Sequence, residues 1–456
     1  MHHWSYDNLP ILQLGDDFYD TVKPAMFPKG ILRYWNSSLN INLDKSHFVN
    51  FNPIPGNLSE PLALRYHGHQ FQNYNPDIGD GRGFLFAQIK LNNQWYDFGT
   101  KGSGRTPFSR SGDGRLTLKG AFRESLATEQ LQSLGVNTSK TLCFFETGEN
   151  LERTDEPSPT RSAVLTRFTM GHIRIGTFQR LAYFKQSENL KKLTSYCMNF
   201  YYHEEGSKID PEDENLLAKQ FLTLVVERNA KLVAQVMMAG FVHGVLNTDN
   251  INISGELFDY GPYRFMPEYD PDFTAAYFDQ QGLYSFGRQP TSFLWALHQL
   301  AISLKLAYPA LEIEPILSRF SGLFDDQIHI HFYKRLNLKM PDQVKASHFL
   351  TRFFDLMETN KLNFEEMFFD FNSKRLLSNP EISGKYEKWD RDILKELDQF
   401  EISDEEIARH IYFKDEKPTT LLIDEIEQIW ASIAENDNWS LYESKLQSIR
   451  KMRGAY

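Results

Sequence analysis

The chain has 456 residues, 41% hydrophobic and 24% charged, with a formal net charge of −11. That length allows two lobes of ordinary size, and the composition is that of a soluble globular protein. The acidic balance argues against nucleic acid as a partner. No uncharged apolar run approaches the roughly 18 residues that a bilayer span needs, so no membrane partner is expected. The opening MHHWSYDNLPILQLGDDF has neither a signal-peptide core nor an Arg-rich presequence, which predicts a cytoplasmic protein.

Only Cys143 and Cys197 are present, without CxxC spacing, so neither a zinc site nor a disulfide framework is expected. Residues 1–60 read as an extended segment with no assigned chemistry. The run from Leu62 to Tyr74 suggests a short helix at its start. His67 and His69 there have no further Cys or His nearby, which favours structural histidines over metal ligands.

Residues 79–83 read Gly-Asp-Gly-Arg-Gly. A strand is predicted from Phe84 to Leu91, a turn at Asn92-Asn93, and a second strand from Gln94 to Thr100, ending at Lys101. Glycines let a backbone approach phosphates, and Arg82 adds a cation at the turn. Residues 102–114 (GSGRTPFSRSGDG) form a long loop able to build an anion nest. From Gly79 to Arg123 there are eight cations against three acids. Such a run is often only a solvated face. Interleaving with glycines suggests instead a polyanion such as a triphosphate.

A helix is predicted from Leu116 to Leu134, stopped by Gly135. It carries Glu124, 23 residues after Lys101. Strands follow at Thr141–Thr147 and Ser162–Phe168, with a polar loop between them. Arg167 and Arg174 flank the end of the second strand, where guanidinium forks suit phosphate oxygens. Residues 170–178 read as a hinge. Two long helices are then expected over 178–203 and 212–239, the second starting beside Pro211. More helices are expected near 292–307, 345–359, 387–399 and 420–434.

The stretch from His243 to Gly261 (HGVLNTDNINISGELFDYG) carries the densest signal. Ile251–Ile253 and Glu256–Phe258 read as two short strands around a Ser254-Gly255 turn. Such a hairpin brings Asn250 and Asp259 to one end, as hard oxygen ligands suited to Mg²⁺ on a nucleotide phosphate. Protein kinases use H-R-D-x-x-x-x-N and D-F-G in this way. Aligning Asn250 with the kinase Asn puts Val245 where the kinase base belongs, and valine accepts no proton. Asp249 is the nearest replacement. A plain Asn/Asp-rich surface turn is the competing reading. The glycine turn, Lys101, Glu124, Asn250 and Asp259, in that order, point to an α+β, protein-kinase-like, two-lobed fold. It would have a β-rich N-lobe over residues 1–175. A mostly helical C-lobe, with extra C-terminal helices, would fill residues 176–456.

Four blocks carry a more specific resemblance: YHGHQFQNYNPDIGDGRG (66–83), TKGSGRTPFSRSGDGRLTLKGAFRESLA (100–127), TRFTMGHIRIGTF (166–178) and HGVLNTDNINISGELFDYGP (243–262). With the opening WSYDNLP, they resemble the selenoprotein O family, known in bacteria as YdiU. The resemblance implies a protein adenylyltransferase that moves AMP from ATP to Ser, Thr or Tyr hydroxyls of proteins, with ATP reversed relative to kinases. It implies that Gly79, Gly81, Arg82, Lys101, Asp113, Gly114, Arg167 and Arg174 contact the nucleotide. Lys101 would pair with Glu124, Asn250 and Asp259 would hold Mg²⁺ or Mn²⁺, and Asp249 would accept the proton. Many members carry a C-terminal Cys or selenocysteine pair, whereas residues 449–456 read IRKMRGAY, so redox control by that route is not expected. The alternatives left open are a small-molecule phosphotransferase and an inactive nucleotide-binding scaffold.

Overall fold

A computed structural model describes residues 9–154, 156–210 and 213–456. Pro211 and the first five residues of WSYDNLP lie outside them. The described chain is α+β, with strands concentrated before residue 170 and helices after it.

Among the described residues twelve strands occur in chain order: β1 (Tyr19–Thr21), β2 (Ile31–Trp35), β3 (Leu62–Leu64), β4 (Gly68–Gln70), β5 (Asn73–Asn75), β6 (Leu85–Leu91), β7 (Gln94–Lys101), β8 (Leu116–Thr117), β9 (Lys140–Leu151), β10 (Thr160–Thr169), β11 (Phe241–Val242) and β12 (Arg264–Phe265). The main sheet runs β1-β3-β6-β7-β10-β9-β2, with β8 added beside β10, and its pairings are antiparallel. The β6–β7 turn falls at Asn92-Asn93 as predicted. Both asparagines take positive φ (49° and 65°), as a two-residue type I′ turn requires.

Side chains alternate across these strands, and both faces of the sheet are buried. Phe86, Phe98, Cys143 and Phe168 belong to one apolar cluster. Leu85, Phe144, Ala163 and Leu165 belong to another, shared with Leu118 and Phe122 of the Leu118–Ser133 helix. Lys101 pairs in register with Leu165, and Gly99 with Arg167. Pairing and alternation therefore put Lys101 and Arg167 on the face that this helix covers. The Thr117 hydroxyl caps the helix by accepting from the Gly120 N–H at 3.1 Å, and Gly135 follows its end with φ 79°.

The Glu214–Met238 helix is capped by Asp213, which accepts the Leu216 N–H at 3.0 Å. Gly240, with φ 62°, turns the chain into β11. β11 pairs with β12, Phe241 opposite Phe265 and Val242 opposite Arg264. This two-stranded ribbon closes the base of the loop that runs from His243 to Tyr263.

Several expectations are corrected. Residues 251–253 and 256–258 do not pair with each other. The Ile253 N–H donates to Ile173 O at 3.2 Å, and the Leu257 N–H to Asn137 O at 2.9 Å. Each segment finds its partner in a distant stretch, so no local hairpin forms. The run from Leu62 begins as strand β3, drawn into the sheet beside β1 and β6. The helix expected over 178–203 is two, Ile175–Tyr183 and Ser187–Phe200, because Lys185 takes a left-handed φ of 55° between them. Strand β9 runs on to Leu151, into the stretch read as a loop. The later helices form at Gln289–Lys305, Gln343–Asn360, Arg391–Asp398 and Ile423–Asn436, each close to its expected place. Among the described residues no helix is long and apolar enough to cross a membrane.

Candidate active site

A cleft of about 800 Å³ opens between the sheet and the 243–261 loop. Gly79, Gly81, Arg82, Lys101, Asp113, Gly114, Arg167, Arg174, Asp249, Asn250 and Asp259 all line it. Glu124 lies one contact behind, bonded to Lys101. The residues singled out in the sequence are therefore brought together, although they span 180 positions of chain.

Lys101 Nζ lies 2.6 Å from Glu124 Oε2 and 3.4 Å from Asp259 Oδ1. Arg167 joins the same two carboxylates, each at 2.9 Å. Arg174 reaches Asp259 Oδ2 at 2.9 Å, the main-chain oxygen of Asp249 at 2.9 Å and Asp80 Oδ1 at 3.1 Å. Burial opposes the charge on Asp259, but Arg167, Lys101 and Arg174 outweigh it and hold the carboxyl well below its ordinary range. Burial also opposes the charge on Glu124, where Lys101 and Arg167 again turn the balance downward. Asp259 takes a left-handed φ of 54°, a conformation aspartate tolerates better than most residues.

Asp249 sits in a different field. It is buried, and its carboxyl is pushed up to about 6 by that burial, with Arg174 opposing. Among the described residues its Oδ1 has no hydrogen-bond partner. A carboxylate poised there has its proton affinity near the working range of a general base. The hairpin of β4 and β5 fixes it in place. The His69 N–H donates to the Thr248 hydroxyl at 2.7 Å, and the Phe71 N–H to Asn247 Oδ1 at 3.0 Å. A Cβ on Gly68 would stand 2.7 Å from Asp249 Oδ1, so the approach needs glycine. His67 and His69 each hydrogen-bond within the fold. His67 Nδ1 meets the Tyr74 hydroxyl at 2.8 Å, and His69 Nδ1 meets Gln179 Nε2 at 2.7 Å.

His243 is also buried. Its Nδ1 accepts the Val245 N–H at 3.3 Å, which leaves Nε2 to donate to Phe258 O at 3.4 Å. Burial holds its ring down to about 4, so it stays neutral and ties the loop start to the residue before Asp259. Asn250 Nδ2 donates to Val245 O at 3.0 Å. That fixes the amide and leaves its oxygen as an acceptor on the cleft.

The 102–114 loop folds onto the glycine turn. The Thr106 and Ser109 hydroxyls donate to Asp80 O and Gly81 O. The Phe108 ring fills the space a Cβ on Gly79 would need. Asp113 is held by Arg153 at 2.8 Å and accepts the Arg115 N–H at 2.9 Å. Among the described residues Arg82 forms no ion pair, so its charge is available to the cleft.

A family model described as "Protein adenylyltransferase SelO" matches residues 5–450. The chain belongs to this family. Among SelO relatives, the protein nucleotidyltransferase YdiU of Trichormus variabilis is 39% identical over 96% of this chain and 94% of its own. The protein of that name from Synechocystis sp. is 40% identical over 96% of both chains. A Vibrio cholerae YdiU is 35% identical over 77% of this chain and 71% of its own. The SelO family is one of nucleotidyltransferases, which matches a cleft rich in anion-binding groups.

Asp80, Tyr66 and Arg153 are among the residues of this SelO-family cleft that the sequence does not single out. Asp80 is buried, accepts the Leu64 N–H at 3.0 Å and pairs with Arg174. Its place inside the glycine turn was the available signal. Tyr66 lies under the Arg174 guanidinium, 4.3 Å from centroid to Cζ. Arg153, the partner of Asp113, sits in the β9–β10 connection, where nothing local marks it.

Proposed function

We propose that this chain transfers AMP from ATP to Ser, Thr or Tyr hydroxyls of proteins and releases pyrophosphate. The observation that carries the reading is the pairing of two unlike carboxylates on one cleft. Asp259 is held ionised by three cations, while Asp249 is buried with its carboxyl near 6. One suits a fixed charge, the other a proton acceptor.

In this reading the acceptor hydroxyl oxygen attacks the α-phosphorus as the bond to the pyrophosphate oxygen breaks. Asp249 takes the hydroxyl proton. Arg82, Lys101, Arg167 and Arg174 stabilise the charge that gathers on the leaving pyrophosphate. Gly79, Gly81, Asp113 and Gly114 shape the backbone around the nucleotide. The donor set fits a hard divalent cation bound jointly with phosphate oxygens, with Asn250 through its free amide oxygen and Asp259 through its carboxylate. Mg²⁺ or Mn²⁺ held there would neutralise charge on the phosphates.

We read residues 1–175 and 176–456 as the two lobes of a kinase-like fold with ATP reversed. The sheet-then-helix order and the Lys101–Glu124 pair support this. Two free, buried cysteines fit a reducing, cytoplasmic setting. Incubating the protein and a cell extract with ATP labelled at the α or the γ phosphate tests the proposal. Label from the α position alone should enter protein. Transfer of the γ label would favour a phosphotransferase, and no transfer would favour a scaffold.

A further inference from the structure

The Leu118–Ser133 helix has two working faces. One carries Glu124 to Lys101. The other presents Phe122, Ser125, Glu129 and Ser133, spaced three or four residues apart and so aligned on one stripe. All four are buried, and a stripe this polar is costly to bury without partners.

The partners come from the end of the chain, the Ile423–Asn436 and Ser440–Lys451 helices. Trp430 stacks on Phe122 at 5.8 Å. The Tyr442 hydroxyl meets the Ser125 hydroxyl at 2.9 Å, and the Ser133 hydroxyl donates to Ile449 O at 3.0 Å. Glu129, 1% exposed, pairs with Arg450 at 3.0 Å and with Arg453, and it accepts from the Tyr34 hydroxyl of β2.

The same helix pair also grips the sheet. Asp437, at the turn between the two helices, accepts from Arg33 of β2 at 3.0 Å and from Arg161 of β10 at 2.8 Å. Trp439 packs on Phe144 of β9. The terminal helices thus touch both bodies whose relative position sets the Lys101–Glu124 distance: the sheet that carries Lys101 and the helix that carries Glu124.

We propose that the two C-terminal helices are a clamp that registers Glu124 against Lys101, with Glu129 as the positioning residue through which the clamp acts. The role rests on the reading of Lys101 and Glu124 as nucleotide-site residues. A loosened clamp leaves nucleotide contacts on the sheet in place while the lysine loses its alignment in the transition state. The loss then falls on kcat more than on KM for ATP.

The test uses the full chain and two pairs of variants: Glu129→Gln with Tyr442→Phe, and Arg450→Ala with Arg450→Lys. Steady-state AMP transfer and hydrogen exchange of the amides of residues 118–133 are measured together. Glu129→Gln and Arg450→Ala should lower kcat by about tenfold, roughly 1.4 kcal/mol in barrier, with KM for ATP little changed. Arg450→Lys should recover most of the loss, and Tyr442→Phe should show a smaller effect of the same kind. Exchange should quicken in residues 118–133 while β7 and β10 keep their protection. Normal kcat with unchanged exchange overturns the proposal. So does quickened exchange throughout sheet and helix, which marks a purely structural role. If the wild-type chain transfers no AMP, the functional reading falls, and the exchange pattern alone still decides the clamp.

Discussion

Arg174 Nη1 donates to Asp259 Oδ2 and to the main-chain oxygen of Asp249, both at 2.9 Å. One guanidinium thus joins the fixed carboxylate and the backbone of the candidate base. Its other terminal nitrogen reaches buried Asp80 in the glycine turn. Arg174 therefore ties three segments together besides lining the cleft.

Replacing it should cost both stability and rate. Arg174→Ala leaves Asp80 buried without its cation, and breaking such a pair costs about 3–5 kcal/mol. Losing a charge-assisted contact that strengthens in the transition state adds about 2–4 kcal/mol to the barrier, or roughly a hundredfold or more in kcat. Lysine keeps the charge and loses the fork, so Arg174→Lys should fall between the two. Thermal melting and steady-state kinetics with varied ATP separate the two effects. Normal kcat with only a raised KM would remove Arg174 from transition-state stabilisation.

Asp249 gives a prediction with a sign. Its carboxyl is raised to about 6 by burial, above its unfolded value, so the fold favours the protonated form. No penalty exists well below pH 4. It grows as pH rises and is complete above about pH 6, where it amounts to about 3 kcal/mol for a shift of roughly two units. Asp249→Asn should therefore raise the melting temperature at pH 8 and leave it nearly unchanged at pH 4. As the proposed general base, the same variant should lose about 10²–10⁴-fold in kcat. The wild-type rate should climb as pH passes about 6, through loss of the Asp249 proton. A variant both stabilised at pH 8 and fully active would show that Asp249 is buried for some other purpose.

The candidate site was more legible than the fold around it. Lys101, Glu124, Asn250 and Asp259 stand out because their chemistry is tied to spacing along the chain, and the fold gathers them at one cleft. The supposed hairpin at 251–258 failed for the opposite reason. A Ser-Gly turn between the triplets Ile251-Asn252-Ile253 and Glu256-Leu257-Phe258 is compatible with local pairing, but the partners are Ile173 and Asn137, far along the chain. Nothing local in the sequence marks Glu129 or Ser125 of the Leu118–Ser133 helix. They are buried because helices some 300 residues later cover them. The short strands β4 and β5 pair with each other outside the main sheet, and only their contacts with Asn247 and Thr248, far along the chain, place them beside Asp249.

Gly114 is a test of loop geometry. It takes φ 71°, and a Cβ there would meet Gly104 O at 2.2 Å. Alanine must move the backbone, which shifts neighbouring Asp113 off Arg153 and disturbs the loop over the glycine turn. Gly114→Ala should raise KM for ATP several-fold and cost more than about 1 kcal/mol in stability, since the native φ is unfavourable for alanine. Nucleotide titration beside thermal melting checks both. Unchanged nucleotide affinity would mean that the loop does not bear on ATP.

Val245 separates the two nucleotide poses. Its side chain lines the cleft, and its own N–H and C=O are already used by His243 and Asn250. Both of those bonds are made by main-chain atoms, and aspartate at 245 places a carboxylate where the kinase comparison puts its base. If ATP lies reversed, a carboxylate at 245 still faces the α-phosphate, because the nucleotide and not the base decides which phosphorus the hydroxyl meets. Val245→Asp should then yield no efficient γ-phosphoryl transfer. It should keep transferring AMP at a reduced rate, since a second carboxylate near Asp259 repels the phosphates. Parallel reactions with α- and γ-labelled ATP give the answer directly. Robust γ transfer by Val245→Asp would show that the nucleotide lies in the ordinary kinase pose, and that a missing base alone withholds kinase activity from this chain.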